Sequence, residues 1–484
     1  MSSIKEQSLE GFQWNAIGQF STYLVRFALG IVIARLLMPQ DYGLIGMLAI
    51  FMAIAQSFVD SGFGNALIRK IDRTETDCST AFYFNIAAAV LIYGILFVAA
   101  PFIAAFYNEP LLAEVVRVLS LTLVINSFGI VPRALRSIAV DFKSQALASF
   151  SAAVVSGLTG LYLAYSGYGV WALVWQAIIS SCVTVAVIWF LSHWMPRLVY
   201  SWQSFKSLFS YGSKLVVSGL IHTVYSHSYS LIIGKFYSPA ELGYYDRGHQ
   251  IASLPSLNLS SIFYSVTFPI LAKLQNDDDR LIYAYRQYLS KISLIVFFLM
   301  TLLAIVAKPL ILLLLTDKWV GAAPFVRVFC LAYMFDSICK LNNNILYVKG
   351  WSGLFLKLEI IKKAIVIPLF LLAIPLGPLA ICSVAVAHTF VDIACSTFCL
   401  NKRMGIDWRN YTVLIKYLLT SAIACTPAFV LCSLDLAPWL ALLASAASAL
   451  ALYSLLLHKD EHFQECIGVV RGYLSNRRVG KTGS

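Results

Sequence analysis

Charged side chains are scarce. Asp, Glu, Lys and Arg make up 12% of the 484 residues, about half the ~25% of an ordinary soluble domain. That shortage excludes a cytosolic or secreted globule, which needs polar atoms to cover its surface. Acidic residues are rarer than basic ones, 24 against 36, leaving a net charge of +12. Long polar stretches are missing too: the tail after Leu457 is the longest, so no extramembrane catalytic domain can be placed, and the chain is expected not to be an enzyme. A glycine-rich phosphate loop is also lacking. Gly480-Lys481-Thr482 has Ser475 where the first glycine of a P-loop would stand. The ten cysteines follow no disulfide or metal spacing, and neither a metal nor an organic cofactor is expected. The first apolar segment is too long for a cleaved leader and contains Trp14 and Arg26, so it reads as a retained anchor.

What the chain has in abundance is apolar sequence: 59% of residues are hydrophobic, and the mean hydropathy is +0.77. A bilayer-spanning helix takes about 20 such residues. Fourteen runs qualify, near 12–37, 42–66, 80–106, 112–138, 145–165, 169–194, 208–236, 242–272, 288–315, 322–348, 354–374, 377–399, 413–432 and 437–457. Turn chemistry separates several of them, as at Met38-Pro39-Gln40-Asp41 and Ser166-Gly167-Tyr168-Gly169. The expected fold is an all-α integral membrane protein of about 14 transmembrane helices.

Basic residues set the orientation, because Lys and Arg concentrate in cytoplasmic loops. One alternate set of connections, with both termini, carries nineteen Lys and Arg; the opposite set carries Lys318 alone. Both termini are therefore expected in the cytoplasm, with 458–484 a basic cytoplasmic tail. The positive charge is a topology signal and a surface for anionic lipid headgroups, not for nucleic acid.

The two halves of the chain echo each other at three places. Pro39, Asp41 and Gly43 align with Pro239, Glu241 and Gly243 at an offset of 200. Val116-Arg117-Val118 aligns with Val326-Arg327-Val328, and Gly169-Val170-Trp171-Ala172-Leu173 with Gly377-Pro378-Leu379-Ala380-Ile381, at similar offsets. Six spans separate the partners, so the halves share one orientation, as parallel repeats in transporters do. The expected layout is an N-terminal six-helix lobe over 1–200, a C-terminal six-helix lobe over 201–405 and an extra helix pair over 406–457.

Ala34-Arg35-Leu36-Leu37-Met38-Pro39-Gln40-Asp41-Tyr42-Gly43 resembles the signature after the first span of bacterial polysaccharide flippases. Asp60-Ser61-Gly62-Phe63-Gly64-Asn65-Ala66-Leu67-Ile68-Arg69, Pro132-Arg133-Ala134-Leu135 and Gly167-Tyr168-Gly169-Val170-Trp171-Ala172-Leu173 fit the same pattern. Together they resemble the polysaccharide-transporter branch of the multidrug/oligosaccharidyl-lipid/polysaccharide exporter superfamily, of the colanic-acid or teichuronic-acid exporter type. The resemblance implies a flippase in the bacterial inner membrane that moves an undecaprenyl-pyrophosphate-linked oligosaccharide repeat unit by alternating access, for capsule, exopolysaccharide or O-antigen synthesis. Polysaccharide polymerase and export machinery are the protein partners it implies. A multidrug-type cation antiporter on the same scaffold and a lipid-linked peptidoglycan-precursor flippase are the alternatives.

Ionisable groups inside spans are costly and become candidates by default. A pyrophosphate needs a wet cationic cavity, for which Arg26, Lys214, Arg247, Lys340 and Arg133 are the candidates. Each has a plainer use: Arg26 can pair with Asp60, Lys214 can snorkel, Arg247 can pair with Asp246 or Glu241, Lys340 can pair with Asp336 one turn earlier, and Arg133 can anchor its span. Arg117 and Arg327, related by the repeat, are candidates for an outer gate. Asp60, Asp336 and Asp392 either couple transport to Na⁺ or H⁺ or neutralise these cations.

Overall fold

The computed structural model describes residues 4–406, 408–434 and 436–468. The tail beyond 468, expected to be cytoplasmic, lies outside the described residues. The chain folds into two compact units, Met1–Gly243 and Tyr244–Ser484.

The first unit contains α1 (Ile4–Leu36), α2 (Pro39–Asp60), α3 (Phe63–Arg69), α4 (Glu75–Tyr107), α5 (Leu111–Leu119), α6 (Leu121–Ser127), α7 (Ile130–Ile138), α8 (Phe142–Tyr165), α9 (Val170–Ser192) and α10 (Trp202–Phe236). Local chemistry sets the boundaries. Pro39 opens α2, where its missing N–H costs nothing, and the Asp41 carboxylate accepts the Met38 amide at 2.9 Å. Ser61 and Gly62 turn left-handed, at φ 45° and 68°, and end α2. Thr74 and Asp77 form a reciprocal capping box that starts α4. The Lys70 ammonium lies 2.8 Å from Asp77 beside it.

α11 (Pro239–Lys273) crosses from one unit to the next. The second unit continues with α12 (Asp278–Ile305), α13 (Ala307–Leu314), α14 (Ala323–Val348), α15 (Ser352–Ala373), α16 (Pro378–Met404), α17 (Thr412–Ala424), α18 (Thr426–Ser433) and α19 (Pro438–Leu456). Its core is the packing of α12, α14 and α16.

By length and composition, eleven helices or continuous helical stretches among the described residues can cross a membrane. The pair Leu111–Ser127 and Ile130–Ile138, bent by 41°, makes a twelfth if counted as one span. The other two expected spans are helices as well. α10 and α15, with 35 and 22 residues, are long enough to cross at ~1.5 Å per residue. α15 is set apart by its charge, carrying Lys357, Glu359, Lys362 and Lys363 within one stretch.

The division expected near residue 200 lies instead at Gly243. α10 packs on α2, α3 and α4 of the first unit, and glycines make that contact close. A β-carbon on Gly212 would overlap the Ser61 carbonyl oxygen, and one on Gly62 would lie 2.7 Å from Gly212. The linker before α10 is fastened to the start of α4: the Trp194 indole donates to Glu75, and the amides of Arg197 and Ser201 donate to the Ser79 and Thr80 hydroxyls, each at 3.0 Å. The helix pair expected to stand apart at 406–457 belongs to the second unit. Tyr453 donates to the Leu294 carbonyl at 2.7 Å and stacks on Phe298 at 4.2 Å.

Candidate functional site

Two of the five candidate cations share one cavity in the first unit. Arg26 from α1 and Arg133 from α7 line an open pocket of about 350 Å³ together with Asn126 of α6, Gln145, Ala148 and Ser149 of α8, and Ser180, Ser181, Thr184 and Ile188 of α9. A second cavity of about 250 Å³ is lined by Gly18, Gln19, Thr22, Tyr23, Phe142 and Ala146, with Arg26, Gln145 and Ser149 common to both. Arg26 therefore stands where two polar compartments meet.

The break between α6 and α7 positions Arg133. The chain bends at Phe128–Gly129, where the Trp189 indole of α9 donates to the Phe128 carbonyl at 2.8 Å. That bond satisfies a backbone group freed by the bend, as membrane interiors require. Gly129 also lets Val185 approach, with its γ-carbon 3.2 Å from where a β-carbon would sit.

Among the described residues neither cavity has a carboxylate in its wall. Asp60, the partner considered for Arg26, accepts instead from the Gln56 amide at 2.8 Å, and it interacts electrostatically with Arg133. Asp141, in the turn after α7, takes Arg136 at 2.7 Å. Among the described residues Arg26 has no ion-pair partner.

The remaining cations lie elsewhere. Lys214 is exposed on α10. Arg117 stacks on Phe97 at 4.7 Å, whereas its repeat mate Arg327 is exposed on α14. Arg247 sits over Trp319 at 5.5 Å and donates to Gln250 at 2.6 Å. Lys340 pairs with Asp336 at 2.6 Å, one helical turn away. Asp392 is occupied as well: the Lys362 ammonium, 1% exposed, lies 2.9 Å from it and also contacts Glu359. A hydrogen-bonded chain continues from there. Ser396 donates to the Asp392 carbonyl at 2.7 Å, Asn342 donates to Ser396 at 2.9 Å, and Tyr285 donates to Asn342 at 2.7 Å. The second unit thus neutralises Lys340 and Lys362 by direct ion pairs, while in the first Arg133 has only the electrostatic contact of Asp60 and Arg26 none, and both guanidiniums line a polar cavity.

Sequence reasoning missed the neutral part of that wall. Its signal was available: Gln145 and Ser149, and Ser180 and Thr184, recur four residues apart in apolar spans, which puts each pair on one helix face.

The polysaccharide biosynthesis protein family matches residues 32–324, more than half of the chain. The chain belongs to that family. Among its curated relatives, the teichuronic acid biosynthesis protein TuaB of Bacillus subtilis is 26% identical over 360 residues, covering 73% of this chain and 74% of its own. The lipopolysaccharide biosynthesis protein WzxC of Escherichia coli is 23% identical and covers 76% and 75%. The succinoglycan biosynthesis transport protein ExoT of Rhizobium meliloti is 23% identical and covers 70% and 68%. Solved structures share the fold. The lipid II flippase MurJ in an inward closed conformation superposes with a TM-score of 0.73 at 11% identity, over 92% of this chain and 99% of that one. An inward-facing multidrug resistance transporter, itself of the MOP superfamily, superposes at a TM-score of 0.56 and 16% identity, over 82% of this chain and 96% of that one. The all-α, multi-pass membrane architecture and the family expected from the motifs are therefore both found.

Proposed function

We propose that this polysaccharide-biosynthesis membrane protein is a flippase. It carries an undecaprenyl-pyrophosphate-linked oligosaccharide repeat unit from the inner to the outer leaflet of the bacterial cytoplasmic membrane by alternating access. One observation carries the reading: Arg26 and Arg133 line one polar cavity with no carboxylate among the described residues of its wall. Two guanidiniums match the charge of a pyrophosphate and bind its oxygens through forked donors. The names of the relatives, teichuronic acid, lipopolysaccharide and succinoglycan biosynthesis, support a glycan on that pyrophosphate. A cationic drug would meet charge of its own sign here.

Both termini face the cytoplasm in this reading, with polymerase and export proteins as the downstream partners. Asp60, which lacks a described ion pair, is the carboxylate through which Na⁺ or H⁺ would couple to transport; Asp336 and Asp392 are held by lysines.

The test is mass spectrometry of lipid-linked oligosaccharides in the native bacterium after depletion, complemented by wild type, Arg26→Ala or Arg133→Ala. Depletion and both variants should accumulate one cytoplasm-facing repeat unit and lose its surface polymer. Unchanged lipid pools and surface glycan would refute the reading.

A further inference from the structure

The wall around the two arginines is more specific than an anion site requires. Ser149 on α8 and Ser180, Ser181 and Thr184 on α9 present four hydroxyls to one cavity, with the amides of Asn126 and Gln145 beside them. Two of these groups have part of their bonding capacity fixed. Thr184 donates its proton to the Ser180 carbonyl at 2.7 Å, which leaves oxygen lone pairs to accept. Gln145 donates through its amide nitrogen to Ser137 at 3.0 Å, which leaves its carbonyl oxygen to accept. Arg26, Arg133 and the serines supply donors. Such a mixture of acceptors and donors suits a ligand that is itself both, as a sugar hydroxyl is. The adjoining compartment differs: Tyr23 and Phe142 give it aromatic faces, against which the C–H face of a pyranose can rest. The combined space falls within the ~300–1,000 Å³ of small-molecule sites.

We infer that this wall is the specificity subsite for the sugar bonded directly to the pyrophosphate. Arg26 and Arg133 hold the anion, while Ser149, Ser180, Ser181 and Thr184 read the ring hydroxyls. With no carboxylate among the described residues of either wall, the subsite takes a neutral or acidic sugar and turns away one with a free amino group. The inference rests on the flippase reading and adds to it a choice among lipid-linked saccharides.

The experiment uses the full chain in proteoliposomes with three polyprenyl-pyrophosphate saccharides. Their first sugars are a hexose, its C4 epimer and the corresponding free amino sugar. Wild type should prefer one epimer and move the amino sugar slowest. Ser180→Ala with Thr184→Val should reduce the epimer preference roughly five- to tenfold per lost hydrogen bond, while Arg26→Gln slows every lipid alike. Ser181→Ala and Ser149→Ala serve if the paired variant does not elute as a folded protein. A wild type that does not discriminate, or folded variants with the wild-type preference ratio, would overturn the subsite and leave the flippase reading intact. A wild type that moves none of the three overturns both.

Discussion

Gly43 lies so close to Pro239 that a β-carbon would overlap the proline carbonyl oxygen, and Gly243 stands in the same relation to Pro39. Residue and partner exchange places across an offset of 200, which is the signature of a two-fold contact. The turns that echo each other in sequence are therefore packed back to back, and glycine is required because backbone meets backbone.

Gly43→Ala and Gly243→Ala should each cost several kcal/mol, since neither neighbour can rotate aside. Thermal unfolding in detergent, with Gly30→Ala as the control because nothing lies within 4 Å of its added carbon, measures the difference. Equal melting temperatures for the three variants would contradict the contact.

Lys362 is held by Asp392 and Glu359 inside the second unit. Removing one partner of a buried pair strands the other, so Lys362→Met should destabilise by about 3–5 kcal/mol. Adding Asp392→Leu should restore part of that loss. A double-mutant cycle in which the two costs simply add would show that the ions do not interact.

Tyr285 is the hub of the polar chain, donating to Asn342 and lying 2.9 Å from the Tyr411 hydroxyl. Tyr285→Phe keeps the ring and removes the bonds, at a cost of about 1–2 kcal/mol. Tyr285→Leu should cost more, because the fully buried ring is lost too. The order of the two melting temperatures is the check.

Acid should loosen two connections outside the membrane spans. Burial alone would raise the Asp141 carboxyl, but the Ser144 hydroxyl and amide with the Arg136 guanidinium bring it below the usual carboxylate value. Burial likewise works against the Asp460 charge, and Lys416, the Phe463 amide and Tyr417 outweigh it. Both pKa values are lower folded than unfolded, so their stabilisation is complete above about pH 4–5 and disappears as pH falls through the folded values. Melting temperature should hold between pH 7 and pH 5.5 as far as these two groups decide it, and fall below pH 4. Asp460→Ala should show its loss, about 1 kcal/mol, already at pH 7.

Much of this architecture was legible because hydropathy reports one helix at a time. All fourteen expected spans fall on helices, including α10 and the charge-bearing α15. The Lys340–Asp336 pair was legible for the same reason, being local to one turn. Relations between helices were not. Nothing in the spacing of Arg26 and Arg133 says that they meet in one cavity, nor that Lys362 reaches Asp392 from a neighbouring helix. The sequence repeat predicts a boundary near residue 200, but glycine contacts such as Gly62 on Gly212 draw α10 into the first unit.

The bend at Phe128–Gly129 also has a mechanical meaning. An unbroken span moves as a rod, and tilting it disturbs packing along its whole length. Arg133 rides instead on α7, nine residues long, with a joint at one end and the Val140–Asp141 turn at the other. The charge facing the cavity is thus mounted on one of the shortest pieces of the unit, and swinging it would disturb only what that single short segment touches.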